Sequence, residues 1–190
     1  MKAFIDNARI ALSASGDEMG FAVDTVPSVA GLYAIHGSPS VWKELGLLQA
    51  VPGQPLYVGK AEMSLASRDV QTHFATGKTG SSTVRRSFAA LLKSSLDLNG
   101  MPRNRIKPGH FANFGIDERG DARLTRWMLE RLTLSVWIKP DSVPLRRVEV
   151  GVLRILTPPL NLTGVPQPSA KLKAQRKVLA DEARAWAQSP

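Results

Sequence analysis

A glutamate lies on the apolar side of a predicted helix in the last third of the chain. When "SVPLRRVEVGVLRIL" is wound as a helix, Glu149 shares one side with Leu145 and Val152, whereas Arg147 falls on the opposite side. A buried ionised carboxylate is costly unless it is paired or binds a metal. Glu149 is therefore either a metal ligand or a carboxylate at the rim of the buried face that reaches solvent or pairs with a nearby arginine.

The two tyrosines of the chain occupy similar positions in two short apolar segments, "GLYAI" and "LYVGK". If these segments are strands, Tyr33 shares a face with Gly31, and Tyr57 shares a face with Gly59, while Lys60 points to the other face. Antiparallel pairing would then turn both phenols toward one glycine-lined surface. Glycine lets another molecule approach the backbone closely. The alternative is that both tyrosines are ordinary strand aromatics that pack against a helix.

Basic residues cluster in the middle of the chain. "KTGSSTVRRS" surrounds a predicted helix start, where backbone N–H groups suit phosphate, although a solvated helix end is also common. The loop-rich stretch that follows, 101–120, is also basic, and the tail "KLKAQRK" is a phosphate-contacting arm or a charged helix surface. The residues predicted to contact nucleic acid are Gly59, Lys78, Ser81, Arg85, Arg86, Arg103, Arg105 and Lys107.

One histidine is a candidate for chemistry. His73 could act as a base or bind phosphate, or it could be a surface histidine paired with Asp69 four residues earlier. Five residues separate His73 from Arg68, so the two do not share a helix face. His36 and His110 have no partners at metal-ligand spacing.

The elements that must position these residues alternate between helix and short strand. Three short strands cannot form a doubly wound parallel sheet, so the pattern favours an α+β fold with a small, mostly antiparallel sheet covered by helices. The predicted strands cover 30–37, 54–60 and 133–140, and the predicted helices cover 3–13, 38–47, 64–75, 82–98, 121–132, 142–156 and 171–188.

Composition narrows the partners and the compartment. The chain of 190 residues has a net charge of +9 and a pI near 10.3, which favours a polyanion such as nucleic acid. An anionic membrane would require a strongly amphipathic basic helix, and only the tail comes close. The absence of cysteine excludes disulfides, Cys-ligated zinc and thiol nucleophiles. We expect a cytoplasmic protein without a signal peptide, a transmembrane helix or a membrane partner.

Several short motifs follow one another in an order that resembles the GIY-YIG nuclease superfamily. "GLY" at 31–33 and "YVG" at 57–59 are similar to the paired signature of that family, with Leu32 and Val58 as conservative departures. The resemblance spans Gly31 to Asn161. The other residues that carry it are Lys60, Arg68, "HF" at 73 and 74, Glu149 and Asn161.

The resemblance implies a central three-stranded antiparallel sheet and hydrolysis of a phosphodiester with one divalent metal, Mg²⁺ or Mn²⁺, on Glu149. It further implies that Arg68 holds the phosphate, with Lys60 supplying charge beside the tyrosines. Either Tyr33 or a metal-bound water is the base. The stretch 77–132 is longer than a minimal member needs, so Arg85 or Arg86 could replace Arg68. The implied catalytic set is Tyr33, Tyr57, Lys60, Arg68, His73, Glu149 and Asn161.

The sequence thus predicts a metal-dependent DNA endonuclease. The predicted organisation is an N-terminal helical extension (1–28), a nuclease domain (29–164) with a helical insertion at about 77–132, and a basic C-terminal tail (165–190). The first alternative is a catalytically silent nucleic-acid-binding module on the same fold. The second is a structural or partner-binding protein, which only the predicted tail helix supports. The sequence leaves the oligomeric state open.

Overall fold

A computed structural model describes residues 1–49, 51–66 and 71–189 of the chain. Its helices are α1 Lys2–Leu12, α2 Met19–Thr25, α3 Pro39–Glu44, α4 Gln71–Phe74, α5 Thr83–Leu91, α6 Glu118–Arg131, α7 Leu145–Leu156 and α8 Ala170–Gln188. Its strands are β1 Asp17–Glu18, β2 Gly31–Gly37, β3 Tyr57–Ala61, β4 Gly100–Met101, β5 Gly115–Ile116 and β6 Leu132–Ile138. Short 3₁₀ turns occupy Thr79–Ser81 and Phe111–Asn113.

The chain forms two compact units. Unit 1 consists of Met1–Gln71 and Leu129–Pro168, and unit 2 consists of Thr72–Met128 and Ser169–Pro190. Unit 2 therefore contains most of the segment predicted as an insertion, together with the predicted tail. No helix within the described residues is long and apolar enough to cross a membrane.

Unit 1 is built on an antiparallel sheet with the strand order β1-β6-β2-β3. The three predicted strands are confirmed as β2, β3 and β6, and the short β1 adds a fourth strand at the β6 edge. Tyr33 lies opposite Gly59, and Ile35 lies opposite Tyr57, so the predicted antiparallel register of the two signature strands is also confirmed. The observed architecture is the expected α+β fold.

One hydrophobic cluster of unit 1 lies on one face of this sheet. Leu32, Ala34 and Val58 point to that face and pack with apolar side chains from α1 and α7. In α7, Val148 and Val152 are buried because they repeat at helical spacing along its inner side. This packing places α7, and with it Glu149, on the sheet face that carries Val58.

Unit 2 is helical and includes the C-terminal helix. Phe88 of α5 packs against Trp127 of α6, with 5.6 Å between the ring centroids. The helix α8 buries Leu179, and its Glu182 accepts a hydrogen bond from the Gly100 backbone at 2.9 Å and pairs with Lys93 at 2.9 Å. The predicted tail helix is thus confirmed, and it is packed into unit 2.

Two local predictions for unit 2 were wrong. The helix that begins after Ser82 ends at Leu91, well before the predicted end at Leu98. Serine side chains compete for backbone carbonyls, and Ser95 Oγ donates to the Leu92 carbonyl at 3.3 Å where the helix gives way to turns. The stretch predicted as loop contains the small hairpin of β4 and β5, whose two-residue strands are too short for a recognisable alternation.

Candidate active site

The two tyrosines lie side by side on one face of the sheet. Tyr33 and Tyr57 have ring centroids 6.1 Å apart and an interplanar angle of 42°. Tyr33 is buried, with 2% of its surface exposed, whereas Tyr57 is half-buried. Their common orientation follows from the register of β2 and β3, as predicted from the alternation of side chains.

Gly59 provides the space for the ring of Tyr33. A Cβ atom at position 59 would collide with the hydroxyl oxygen and the adjacent ring carbons of Tyr33, which lies directly across the strand pair. We had expected this glycine to let nucleic acid approach the backbone. That expectation does not fit the structure, because the tyrosine ring already covers Gly59, which is itself buried. The glycine therefore positions Tyr33.

A lysine between two carboxylates forms the second part of the site. Lys60 Nζ lies 2.6 Å from Glu62 Oε1 and 3.7 Å from Glu149 Oε2. The hydrogen bond to Glu62 raises the pKa of Lys60, burial opposes this, and the charge of Glu149 adds to the increase. Lys60 is therefore a fixed cation. Glu149 does form an ion pair at the rim of the buried face, as one of the two alternatives predicted, but its partner is Lys60 and not an arginine.

Burial sets the electrostatics of Glu149. Its side chain is 18% exposed, and this burial raises the pKa of the carboxyl, as does the charge of Glu62. The ammonium of Lys60 and the guanidinium of Arg146 lower the pKa without cancelling the increase. The attraction of Lys60 thus opposes the effect of burial on the pKa of Glu149 only in part.

The charge of Lys60 does not lie beside the tyrosines as expected. Side chains alternate along β3, so Lys60 projects to the face opposite Tyr57 and Gly59. That is the face on which α7 packs, and this explains the contact with Glu149. No role is predicted for Glu62 from the sequence. A usable signal was present, because two residues along an extended chain place a side chain on the same side as Lys60.

Asn161 acts on the outer edge of β3. Its Oδ1 accepts a hydrogen bond from the Val58 N–H at 2.9 Å, and its Nδ2 donates to the Val58 carbonyl at 2.8 Å. The buried amide thereby satisfies both backbone groups of a residue that lies between Tyr57 and Gly59. Asn161 is a positioning residue for the second signature strand.

Arg85 is a structural residue of unit 2. Its guanidinium is 0% exposed and pairs with Asp121 Oδ2 at 3.0 Å. It also donates to Thr79 Oγ1, the His73 carbonyl and Thr125 Oγ1 at 3.1, 3.1 and 2.9 Å. This burial contradicts a surface role in contacting phosphate, and we correct that expectation for Arg85.

Arg86 is buried as well. Its guanidinium donates to the Gly80 and Thr79 carbonyls at 2.8 and 3.3 Å, which fixes the turn before α5. The helix pattern could not reveal this, because the carbonyls that bind both arginines come from turns and from another helix. Arg68, the first choice for the catalytic arginine, lies outside the described residues.

His73 is not a surface histidine. It is 8% exposed, and its Nδ1 forms a hydrogen bond of 2.7 Å with Ser82 Oγ. Burial lowers the pKa of His73 to about 4, with further contributions from the charges of Arg85 and Arg86. A buried neutral imidazole bound to a serine does not fit the expected contact with phosphate or water.

The remaining basic candidates are exposed in unit 2. A cavity is lined by Lys78, Ser81, Arg103 and Arg105. Lys107 lies in the bend that follows Arg105 along the chain. His36 is buried against Ser135 with a 2.9 Å hydrogen bond, and His110 is exposed.

The carboxylates of unit 1 fit one kind of metal site. Across the described ranges, no group of three or more His, Asp and Glu side chains is placed to hold a metal ion. Mg²⁺ does not need such a group, because it retains waters and binds through one or two carboxylates together with substrate phosphates. The partly exposed Glu149 is one carboxylate that could bind Mg²⁺ in this way.

Comparison with known proteins agrees with this geometry. Residues 50–182 match the family model described as the GIY-YIG catalytic domain. The matched region contains the second signature, Glu149 and Asn161, and it begins after the first signature at 31–33. No curated protein and no solved structure matches the chain. Because the family model covers more than half of the chain, the protein belongs to the GIY-YIG catalytic-domain family.

Proposed function

We propose that the protein is a metal-dependent endonuclease that hydrolyses phosphodiester bonds in DNA and uses Mg²⁺ or Mn²⁺. Membership of the GIY-YIG family implies a nuclease with a nucleic-acid substrate. The observation that carries the finer proposal is the pair of tyrosines at the signature strands, with Tyr33 held over Gly59 beside Tyr57. We also propose a cytoplasmic location, on the ground that a chain without cysteine suits a reducing compartment.

Hydrolysis of a phosphodiester forms a bond between a water oxygen and phosphorus and breaks the bond from phosphorus to the leaving sugar oxygen. The water loses a proton, and the leaving oxygen gains one. In our proposal, the oxygen of Tyr33 accepts the proton of the water, and Tyr57 orients the water or the phosphate. Asn161 maintains the position of Tyr57 through its two hydrogen bonds to Val58.

The charged residues have separate tasks. We propose that Arg68 holds the phosphate through two parallel hydrogen bonds. Glu149 would hold the metal ion, with Glu62 and Lys60 setting the local charge. When bound, the ion supplies charge neutralisation at the phosphate and at the leaving oxygen. His73 is given no step in this proposal because its Nδ1 is already engaged by Ser82 Oγ.

Nicking of a supercoiled plasmid tests the proposal. The wild type should nick DNA with Mg²⁺ or Mn²⁺ and should stop when the ion is chelated. Glu149→Gln should slow cleavage by about a thousandfold or more, because losing the metal ion would raise the activation free energy by several kcal/mol. Binding of DNA, measured by fluorescence anisotropy, should be retained.

Glu130→Gln is the matched control, because it removes one negative charge from an exposed position of α6 and should cleave normally. Normal turnover by Glu149→Gln would disprove the metal assignment. A wild type that binds DNA but cleaves it with neither ion would favour the catalytically silent module.

A further inference from the structure

The net charge of the chain resides entirely in unit 2. Unit 2 contains 15 Lys and Arg against six Asp and Glu, whereas unit 1 contains ten of each kind. The difference in unit 2 is therefore the full +9 of the protein. Contacts with a polyanion should be concentrated in unit 2, while the residues proposed for catalysis lie in unit 1.

Part of this charge surrounds a cavity of about 300 Å³. Lys78, Arg103 and Arg105 line the cavity and are exposed at its surface. Two acidic residues, Glu118 and Asp121, also line it. The carboxylate of Asp121 is already compensated by Arg85 at 3.0 Å, so the cavity retains an excess of positive charge.

The floor of the cavity is fixed from beneath. Asp121 accepts hydrogen bonds from the Gly77 backbone N–H and the Thr79 hydroxyl. Arg86 donates to the carbonyls of Thr79 and Gly80 at 3.3 and 2.8 Å. These buried groups hold the turn in one conformation, so a ligand would not have to order it on binding.

One of the three cations is held in place by packing. The aliphatic stem of Arg103 lies so close to Gly80 that a Cβ atom at position 80 would come within 2.6 Å of Arg103 Cγ. The glycine therefore allows the stem to lie against the turn. This packing restricts the stem of Arg103 beside the cavity that the residue lines.

We propose that this cavity binds a backbone phosphate of a nucleic-acid strand and thereby anchors the substrate to unit 2. The inference rests on the proposed nuclease function, and it names the place where the substrate is held. The cavity lies at the small end of ligand sites, which span about 300–1,000 Å³ and are mostly apolar. No aromatic ring occurs among the described residues that line it, so it offers no surface for stacking a base.

The test is equilibrium binding of a fluorescent DNA duplex to the full-length Glu149→Gln protein in EDTA, so that cleavage plays no part. Arg103→Gln/Arg105→Gln should weaken binding about tenfold and reduce the slope of log affinity against log salt by about two. The control is Arg126→Gln/Lys173→Gln, which removes the same charge from exposed positions of unit 2 outside the cavity. The control should show less than half of either effect. Circular dichroism checks the fold of each variant.

Gly80→Ala tests the same site without changing the charge of the protein. Its Cβ should displace Arg103 and weaken binding severalfold, whereas unchanged affinity would overturn the Arg103 contact. Equal weakening by the two double variants would overturn the site in favour of diffuse charge. Displacement of the duplex by micromolar mononucleotide would overturn it in favour of a nucleotide pocket.

These outcomes are separable from failure of the proposed function. Unaffected binding by Arg103→Gln/Arg105→Gln in the Glu149→Gln background, together with normal plasmid nicking by the same double variant with Glu149 intact, refutes the anchor alone. Binding that follows the prediction, in a protein that never nicks DNA, supports the anchor and refutes the nuclease.

Discussion

Units 1 and 2 each contain a buried or partly buried ion pair, and the two pairs differ in exposure and distance. In unit 2, Arg85 and Asp121 are 0% and 3% exposed, lie 3.0 Å apart, and satisfy their remaining groups with neighbouring hydroxyls and carbonyls. In unit 1, Lys60 and Glu149 are 29% and 18% exposed and lie 3.7 Å apart. The first pair is enclosed and makes its hydrogen bonds within unit 2, whereas the second pair is longer and partly open to solvent.

The difference distinguishes a structural ion pair from a candidate functional one. A fully satisfied pair has no capacity left for a ligand, and breaking it leaves an isolated charge in the interior. A carboxylate whose pKa is raised by burial, despite a lysine nearby, can still gain from another cation. Because its carboxylate is partly exposed, Glu149 is the ligand candidate, whereas the enclosed Arg85 belongs to the scaffold.

The largest expected effect on stability is at Arg85. Arg85→Gln should lower the free energy of unfolding by about 3–5 kcal/mol, because Asp121 would remain buried without its partner. Glu149→Gln should change the free energy by less than about 1 kcal/mol, since burial already opposes its charge and Lys60 keeps Glu62 as a partner. Urea denaturation at neutral pH measures both.

Arg131→Gln serves as the control for the loss of an arginine. Arg131 forms an exposed ion pair with Glu44 at 3.2 Å, and exposed pairs contribute about 0–1 kcal/mol. If Arg85→Gln is no more destabilising than Arg131→Gln, the buried pair does not stabilise unit 2, and the contrast between the two units fails.

The two tyrosines sharpen the assignment within unit 1. Tyr33→Phe should slow single-turnover cleavage by about a hundredfold, because it removes the hydroxyl proposed as the base and retains the ring over Gly59. Tyr57→Phe should slow cleavage by less than about tenfold if its hydroxyl only orients water or phosphate. Plasmid cleavage at fixed Mg²⁺ measures both rates.

Each variant is the control for the other, because both remove one hydroxyl from the same face of the sheet. A greater loss in Tyr57→Phe would reverse the roles and assign the base to the more exposed phenol. A Tyr33→Phe variant as fast as the wild type would exclude the Tyr33 hydroxyl from proton transfer.

The sequence predicted the part of the site that depends on local patterns. Alternation along β2 and β3 was sufficient to place both phenols on one face, and helical spacing was sufficient to place Glu149 on the inner side of α7. The α+β class followed from the number of short strands. Each of these features is determined by neighbours a few residues apart.

The features that the sequence did not reveal depend on distant contacts. Whether Arg85 is exposed is decided by Asp121, which lies 36 residues away. The meaning of Gly59 depends on Tyr33 of the neighbouring strand, and the role of Asn161 depends on Val58, 103 residues away. Helical spacing gives a face but not the element that covers it, and so a buried arginine and a solvated one look alike in sequence.

The smallest effect compares two buried histidines, one in each unit. His36 is bound to Ser135 and His73 to Ser82, and burial lowers the pKa of each to about 4. The unfolded chain takes up a proton below about pH 6.5, whereas the folded protein does not until about pH 4. The free energy of unfolding is therefore unaffected by these histidines above about pH 6.5, and it falls as the pH decreases from there toward 4.

Each histidine should account for a loss of about 1–2 kcal/mol in the free energy of unfolding between pH 7 and pH 5. His73→Asn and His36→Gln place an amide near the nitrogen that binds serine, and each should remove its share of this pH dependence. The control is His110→Asn, at an exposed position with a left-handed backbone (φ 49°) that Asn tolerates. It should behave as the wild type does. Urea denaturation at the two pH values measures the difference, and a loss in His73→Asn as large as in the wild type would show that His73 is not held neutral by the interior of unit 2.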